Sequence, residues 1–294
     1  MALALAEQTG GVIVNADSAQ LYRDLPILSA APTGAEQARA EHRQYGVEDG
    51  ALPCSAAAWA ELAKREIAEC HASGRLPVLV GGTGLYLRTL IEGIAPVPPI
   101  DPEVRQHVRT RTVTDNRAEL ERLDPAAAAR LGPADSARIA RALEVVRSSG
   151  QPLSHWQQHR SGGIGGAITL RALILLPPRE WLYARCDERF AQMMDAGAVA
   201  EVAALLAREL NPDLPVMRAI GVREIAAMLA GELTREQALA AGQQATRRYA
   251  KRQYTWFSHQ PPPVWRRVTG PFPVRPELVE GLFFYASSRK GKDR

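Results

Sequence analysis

Two stretches constrain this chain most: Val14-Asn15-Ala16-Asp17-Ser18-Ala19-Gln20-Leu21-Tyr22 and Val78-Leu79-Val80-Gly81-Gly82-Thr83-Gly84-Leu85-Tyr86. Each is a short apolar run that ends in polar or glycine residues and then turns helix-like. A buried parallel strand delivers side chains to its C-terminal edge in this way. The first edge carries a carboxylate, Asp17. The second carries a Gly-Gly-Thr turn that opens a helix, and the N–H groups of a helix start attract anions. A carboxylate beside an anion site points to proton removal next to a phosphate-bearing substrate.

The surrounding pattern fits an α/β protein. Residues 2–8 read as the end of a helix, 11–15 as a buried strand and 55–72 as a long helix. Residues 76–80 read as a second buried strand and 83–92 as the helix that follows it. Strand and helix in alternation predict a parallel sheet. Residues 23–52 read as irregular, rich in proline and glycine. After the proline-rich 95–99, helix follows helix to about residue 158 with no strand signal. Glycine-rich 161–166 leads to a third buried strand at 169–176, where the sheet is expected to resume. Helices follow at 179–195, 198–209, 222–230 and 235–258. The expected division is a core part at 1–98, a helical insertion at 99–160, a second core part at 161–260 and an irregular tail at 261–294. The tail after Val268 is expected to be poorly ordered and without a chemical role.

Composition narrows the class. With 46% hydrophobic residues in 294, the chain can build a real core. No apolar run approaches the roughly 20 residues of a membrane span, and residues 1–7 lack the basic start and cleavage site of a secretory signal. Cys54, Cys70 and Cys186 lie far apart, without a C-x-x-C pair, and read as reduced packing residues of a cytoplasmic protein. A net charge of +4 is mild, so where the charge sits matters more than its sum.

Several residue groups carry candidate chemistry. Asp17 can be a general base, a Mg²⁺ ligand or the cap of the next turn. Gly81 and Gly82 fit phosphate contact or a tight strand-to-helix turn, with Thr83 adding a hydroxyl. Arg138 and Arg141 stand three apart on one helix face, and Arg147 lies two turns further on. Arg218 and Arg223 flank residues 219–222. Residues 246–259 interleave Arg247, Arg248, Lys251 and Arg252 with Tyr249, Tyr254, Trp256 and Phe257. Basic residues facing RNA and aromatics packed inward are compatible on such a helix. His155 and His159 have a metal-pair spacing but lack a third ligand, so no metal site is assigned. No G-x-x-x-x-G-K-[ST] loop occurs.

Six motifs, in order over about residues 2–258, are jointly specific: 15–22, 79–86, Asp101-Pro102-Glu103-Val104-Arg105, 137–145, 217–224 and 250–257. With them the chain resembles the bacterial tRNA dimethylallyltransferases, also called tRNA delta(2)-isopentenylpyrophosphate transferases. The resemblance implies a P-loop-NTPase-like α/β fold, a parallel sheet flanked by helices, with an all-helical insertion domain. It implies transfer of a dimethylallyl group from dimethylallyl diphosphate to N6 of adenosine 37, in the tRNA anticodon stem-loop, assisted by Mg²⁺. It places Asp17 as the general base. It places Asp17, Ser18, Ala19, Gln20, Thr83, Arg105, Ala137, Arg138, Ile139, Ala140 and Arg141 among the tRNA contacts. Arg218, Ala219, Ile220, Gly221, Val222 and Arg223 join them. A monomer without membrane attachment is expected.

Two departures accompany the resemblance. The family's Gly-Pro-Thr-x-Ser-Gly-Lys-[Ser/Thr] loop and its strand are expected just upstream of Ala2. The first strand and main phosphate loop are therefore expected to be absent here. Its Thr-Ala-Lys-Pro is here Ser29-Ala30-Ala31-Pro32, without the lysine. A non-catalytic tRNA-binding remnant, or an adenylate isopentenyltransferase acting on free AMP, are the alternative readings.

Overall fold

The computed structural model describes residues 1–270 and divides into two units, Met1–Arg88 with the chain from Thr169 onward, and Thr89–Ile168. The larger unit begins with helix α1 (Ala2–Thr9), stopped by Gly10 in the left-handed region at φ 63°. Strand β1 (Val12–Asn15) is buried at every position. It pairs in parallel with β2 (Glu41–Arg43) on one side and β3 (Pro77–Val80) on the other, so Ile13 lies opposite both His42 and Val78. Helix α3 (Ala56–Ala72) precedes β3 and α4 (Gly84–Glu92) follows it; the division between units falls inside α4. This is a parallel α/β core flanked by helices.

The stretch 23–52 is more ordered than expected. It holds the six-residue helix α2 (Gly34–Arg39), started by a capping box between Thr33 and Glu36, and then β2. Strand β2 is hard to read because Glu-His-Arg lacks apolar residues. It is an edge strand whose Glu41 and Arg43 join ion pairs with Arg75, Glu66 and Glu69.

The expected third buried strand is also corrected. Only Leu173–Leu175 is extended (β4), and it pairs in parallel with β5 (Arg266–Val268) in a separate two-stranded sheet. Among the described residues β4 does not join the three-stranded sheet. Strand β5 falls within the tail expected to be irregular. Its Arg-Arg-Val sequence is too short and too charged to announce a strand. The order of residues 271–294 lies outside the described residues.

The smaller unit is helical: α5 (Pro102–Thr110), α6 (Val113–Leu123), α7 (Pro125–Arg130), α8 (Ser136–Ser149) and α9 (Leu153–Gln157). Asp124 caps α7 through its carboxylate, with Pro125 at the first position. Leu120, Ile139 and Leu143 form a fully buried centre.

The larger unit closes with α10 (Arg179–Ala196), α11 (Ala198–Leu206), α12 (Val222–Leu229) and α13 (Arg235–His259). Phe190 of α10 sits at their junction, 2% exposed, against glycines of α13 and the α12 cap. A Cβ at Gly242 would lie 2.1 Å from Phe190 Cζ, and one at Gly221 would lie 2.9 Å from Phe190 Cε2. No helix among the described residues is long and apolar enough to cross a membrane.

Gly242→Ala forces Phe190 out of its slot, and overpacking of this kind costs about 1–3 kcal/mol. Thermal unfolding should show a midpoint several degrees lower. An unchanged midpoint would mean that α10 and α13 are free to separate.

Candidate active site

Asn15 ends β1 with its side chain fully buried. Its Nδ2 donates to the carbonyls of Asp17 and Gln44, both at 2.9 Å, and its Oδ1 accepts from the Asp17 N–H at 2.7 Å. The Asn15 carbonyl accepts from Trp59 Nε1 at 3.0 Å, and Trp59 stacks on Tyr86 with ring centres 4.6 Å apart. Asp17 is thereby held in a tight turn by the residue two places before it.

The Gly-Gly-Thr turn locks onto the same point. Thr83 Oγ1 accepts from the Ser18 N–H at 3.0 Å and donates to Ser18 Oγ at 3.3 Å. The Thr83 N–H donates to the Ala16 carbonyl. A Cβ at Gly81 would lie 2.1 Å from the Ala16 carbonyl carbon, so only glycine allows the two strand ends to approach this closely. At Gly82 the intruder would be the amide of Gln253, whose Nε2 donates to the Gly82 carbonyl at 3.0 Å. Two N–H groups of the turn are engaged within the protein: that of Thr83 donates to the Ala16 carbonyl, and that of Gly82 faces Asp17. The glycines serve strand packing and the carboxylate.

Asp17 lines a cavity of about 600 Å³, of the size that holds a small ligand. Burial pushes its carboxyl above the ordinary value. The N–H groups of Ala19, Gln20 and Gly82 and the charge of Arg189 oppose that shift without cancelling it. The result is a carboxylate that binds a proton more readily than usual. Arg189, Arg218 and Arg252 share the cavity wall. Arg218 is bonded to Asp213, and the Arg252 guanidinium lies over the Tyr249 ring, 5.3 Å from its centre. The remaining wall is largely apolar, with Tyr22, Leu25, Leu28, Phe190 and Met193.

The residues singled out in the sequence fall into two groups. Asp17, Ser18, Ala19, Gln20, Gly81, Gly82, Arg218, Ala219 and Ile220 line this cavity, with Thr83 bonded directly behind them. Arg105, Arg138 and Arg141 belong to the helical unit. There, burial and the neighbouring Arg105 and Arg109 charges press Arg141 below its ordinary value, while Glu144 acts against them. Glu144 is 1% exposed and accepts from Arg109 Nε at 2.5 Å. Arg147, also singled out as a cation, pairs with Glu119. Ile139, Ala140 and Val222 are buried in their units' cores and present no side chain to solvent. In α13 the aromatics Tyr249, Tyr254, Trp256 and Phe257 are partly buried while Arg248, Lys251 and Arg252 are exposed. Among the described residues no three His, Cys, Asp or Glu side chains are grouped to hold a metal ion.

Sequence reasoning missed Arg189. A signal was present: Cys186, Phe190 and Met193 mark the apolar stripe of α10, and Arg189 is a cation set on that stripe. It also missed Glu201, whose carboxylate accepts from the Ile27 and Leu28 N–H groups.

Fold and site together define an α/β protein whose strand edges present one proton-accepting carboxylate to a cleft lined by arginines. The chain belongs to the IPP transferase family, whose sequence profile matches residues 20–260. It is 60% identical to the tRNA dimethylallyltransferase of Erythrobacter litoralis, over 96% of this chain and 90% of that protein. It is 60% identical to that of Sphingopyxis alaskensis, over 91% of this chain and 88% of that one. Among solved structures it is similar to the full-length tRNA isopentenylpyrophosphate transferase of Bacillus halodurans. The TM-score is 0.67 at 30% identity, covering 97% of this chain and 90% of that chain. It is also similar to a eukaryotic dimethylallyltransferase described as acting on tRNA, with TM-score 0.72 and 26% identity, over 87% of this chain and 65% of that chain.

Asn15→Ala removes all three side-chain bonds and leaves the Gln44 carbonyl, the partner outside the turn, without its donor. Leaving a buried polar group unpaired costs about 1–3 kcal/mol. Denaturant unfolding should show that loss. A neutral result would mean that the turn holds without Asn15.

Proposed function

We propose that this chain transfers a dimethylallyl group from dimethylallyl diphosphate to N6 of adenosine 37 in tRNA. The observation that carries the reading is Asp17, fixed by Asn15 and Thr83 in the wall of a cavity that is cationic in one part and apolar in another. The relatives named tRNA dimethylallyltransferases support it.

The chemistry follows from the groups present. Adenine N6 is a poor nucleophile because its lone pair is delocalised into the ring. As the bond from N6 to the allylic carbon forms, the bond from that carbon to the diphosphate oxygen breaks and its electron pair leaves with the diphosphate. The N6 proton passes to Asp17. A positioned base contributes typically about 10²–10⁴-fold, and the raised affinity of Asp17 for a proton suits it to that task. Arg189, Arg218 and Arg252 are the cavity cations able to meet the charge growing on the leaving diphosphate. The apolar wall suits the allylic group and excludes water from it. Bringing the base out of the anticodon stack costs a few kcal/mol, and Arg105, Arg138, Arg141 and Arg223 are exposed or partly exposed cations that can offset this through the RNA backbone.

Mg²⁺ is the cofactor the reading implies. The described residues build no protein cage for it. An ion held mostly by substrate phosphates and water needs only one or two protein oxygens, and in the cavity the Ser18 and Ser29 hydroxyls are candidates. When bound it would neutralise diphosphate charge. None of the steps above runs through it.

Asp17→Asn should abolish prenyl transfer to an anticodon stem-loop while leaving RNA affinity within a few-fold, since the side chain acts in the transition state rather than in binding. Equal loss of transfer and binding would remove the general-base role. Transfer to free AMP at the same rate would instead make the chain an adenylate isopentenyltransferase. The variant also tests the burial argument. A raised carboxyl pKa means stability is greatest with Asp17 protonated and is lost as pH rises through its folded value. At neutral pH the uncharged Asn variant should therefore be at least as stable as the parent, with the difference vanishing in acid.

A further inference from the structure

Residues 25–31 form a compact loop in the cavity wall, and two side chains outside it grip its backbone, one from nearby in the sequence and one from far along it. On one side Glu201, in the first turn of α11, accepts from the Ile27 N–H through Oε1 at 2.7 Å and from the Leu28 N–H through Oε2 at 3.0 Å. On the other, Gln20 Nε2 donates to the carbonyls of Ser29 at 3.1 Å and Ala30 at 2.6 Å. Ala30 is held at φ 56°, a left-handed backbone that a residue with a Cβ seldom adopts. Inside the loop the Ser29, Ala30 and Ala31 N–H groups donate to the Leu25, Ile27 and Pro26 carbonyls. Leu25, Leu28 and Ser29 face the same cavity as Asp17. Gln20 is three residues beyond Asp17, so the clamp ties this wall directly to the turn that carries the carboxylate.

We propose that Gln20 and Glu201 are positioning residues: together they fix the Leu25–Ser29 wall relative to Asp17 and so set which allylic donor fits. This rests on the prenyl-transfer reading above. It gives Gln20 a different task from RNA contact, because its amide N–H groups are spent on the loop. It gives α11, which contributes no residue to the cavity lining, a part in the specificity of the site. A carboxylate is the right group for the Glu201 position, since it accepts from two parallel N–H donors at once. An amide there would match one donor and oppose the other.

The test compares dimethylallyl with geranyl diphosphate as donors to an anticodon stem-loop, in the parent chain and in Glu201→Ala, Glu201→Gln and Gln20→Ala. A loosened wall should lower the dimethylallyl-to-geranyl ratio of kcat/KM by about tenfold, the scale on which a pocket distinguishes apolar groups of different size. Glu201→Gln should fall between the parent and Glu201→Ala. The ratio does not depend on the fraction of folded protein, so a merely structural role would lower both rates and leave it unchanged; that result overturns the proposal. Gln20→Ala should leave stem-loop binding nearly unchanged, and a clear loss of binding would return Gln20 to RNA contact and overturn the clamp. Amide exchange provides a readout without catalysis. In Glu201→Ala the Ile27 and Leu28 N–H groups should lose protection while α11 keeps its own, and unchanged protection would contradict the clamp even in a chain that transfers no prenyl group. If the parent transfers neither donor while exchange behaves as described, the prenyl-transfer reading fails and the clamp stands.

Discussion

Asn15 sits at the end of the central strand with no exposure to solvent, and its amide is engaged with backbone groups of Asp17 and Gln44. A buried amide has few ways to satisfy its donors and acceptor at once, and here the solution fixes the turn that leaves the sheet. The arrangement of the strand edges around the cavity follows from that turn. It places Asp17 in the wall of the cavity, lets Thr83 reach the Ser18 N–H from the neighbouring strand end, and starts the path to Gln20 and its loop. The Gly81 approach to Ala16 matters for the same reason: a side chain at that point would part the two strand edges that share the carboxylate.

Much of this is legible in the amino-acid sequence. Asp17, Ser18, Gly81 and Thr83 were readable because each stands within a few residues of the end of an apolar run, and strand period alone brings them to one sheet edge. The helices of the smaller unit were readable from their caps, Asp124-Pro125 above all. What was hidden depends on packing between distant segments. Glu201 reaches residues 27 and 28 only because α11 folds back over them. Gln253 reaches Gly82 across 171 positions. No local pattern encodes such meetings. Strands β2 and β5 escaped notice for another reason: as short edge strands they need no apolar face, and their charged residues read as loop.

The same hidden packing changes what individual residues can do. Ile139 and Val222 sit in motifs that read as contact surfaces, yet helical period turns them inward, leaving Arg138 and Arg223 outward. In the Gly-Gly-Thr turn, read as an anion site, the Gly82 and Thr83 N–H groups are engaged within the protein. Positive charge in the cavity wall is carried by Arg189, Arg218 and Arg252, contributed by three segments that converge there.

The central claim is that a carboxyl made more basic by burial removes the proton from the accepting nitrogen. Single-turnover transfer measured against pH tests it most directly, since only the ionised carboxylate can act as base. The rate should rise with pH along a single limb whose midpoint lies above the ordinary aspartate value of 3.8. Any activity left in a chain without the Asp17 carboxyl should lack that limb. A rate that is flat from pH 4 upward in the parent, or a limb that survives loss of the carboxyl, would contradict the account.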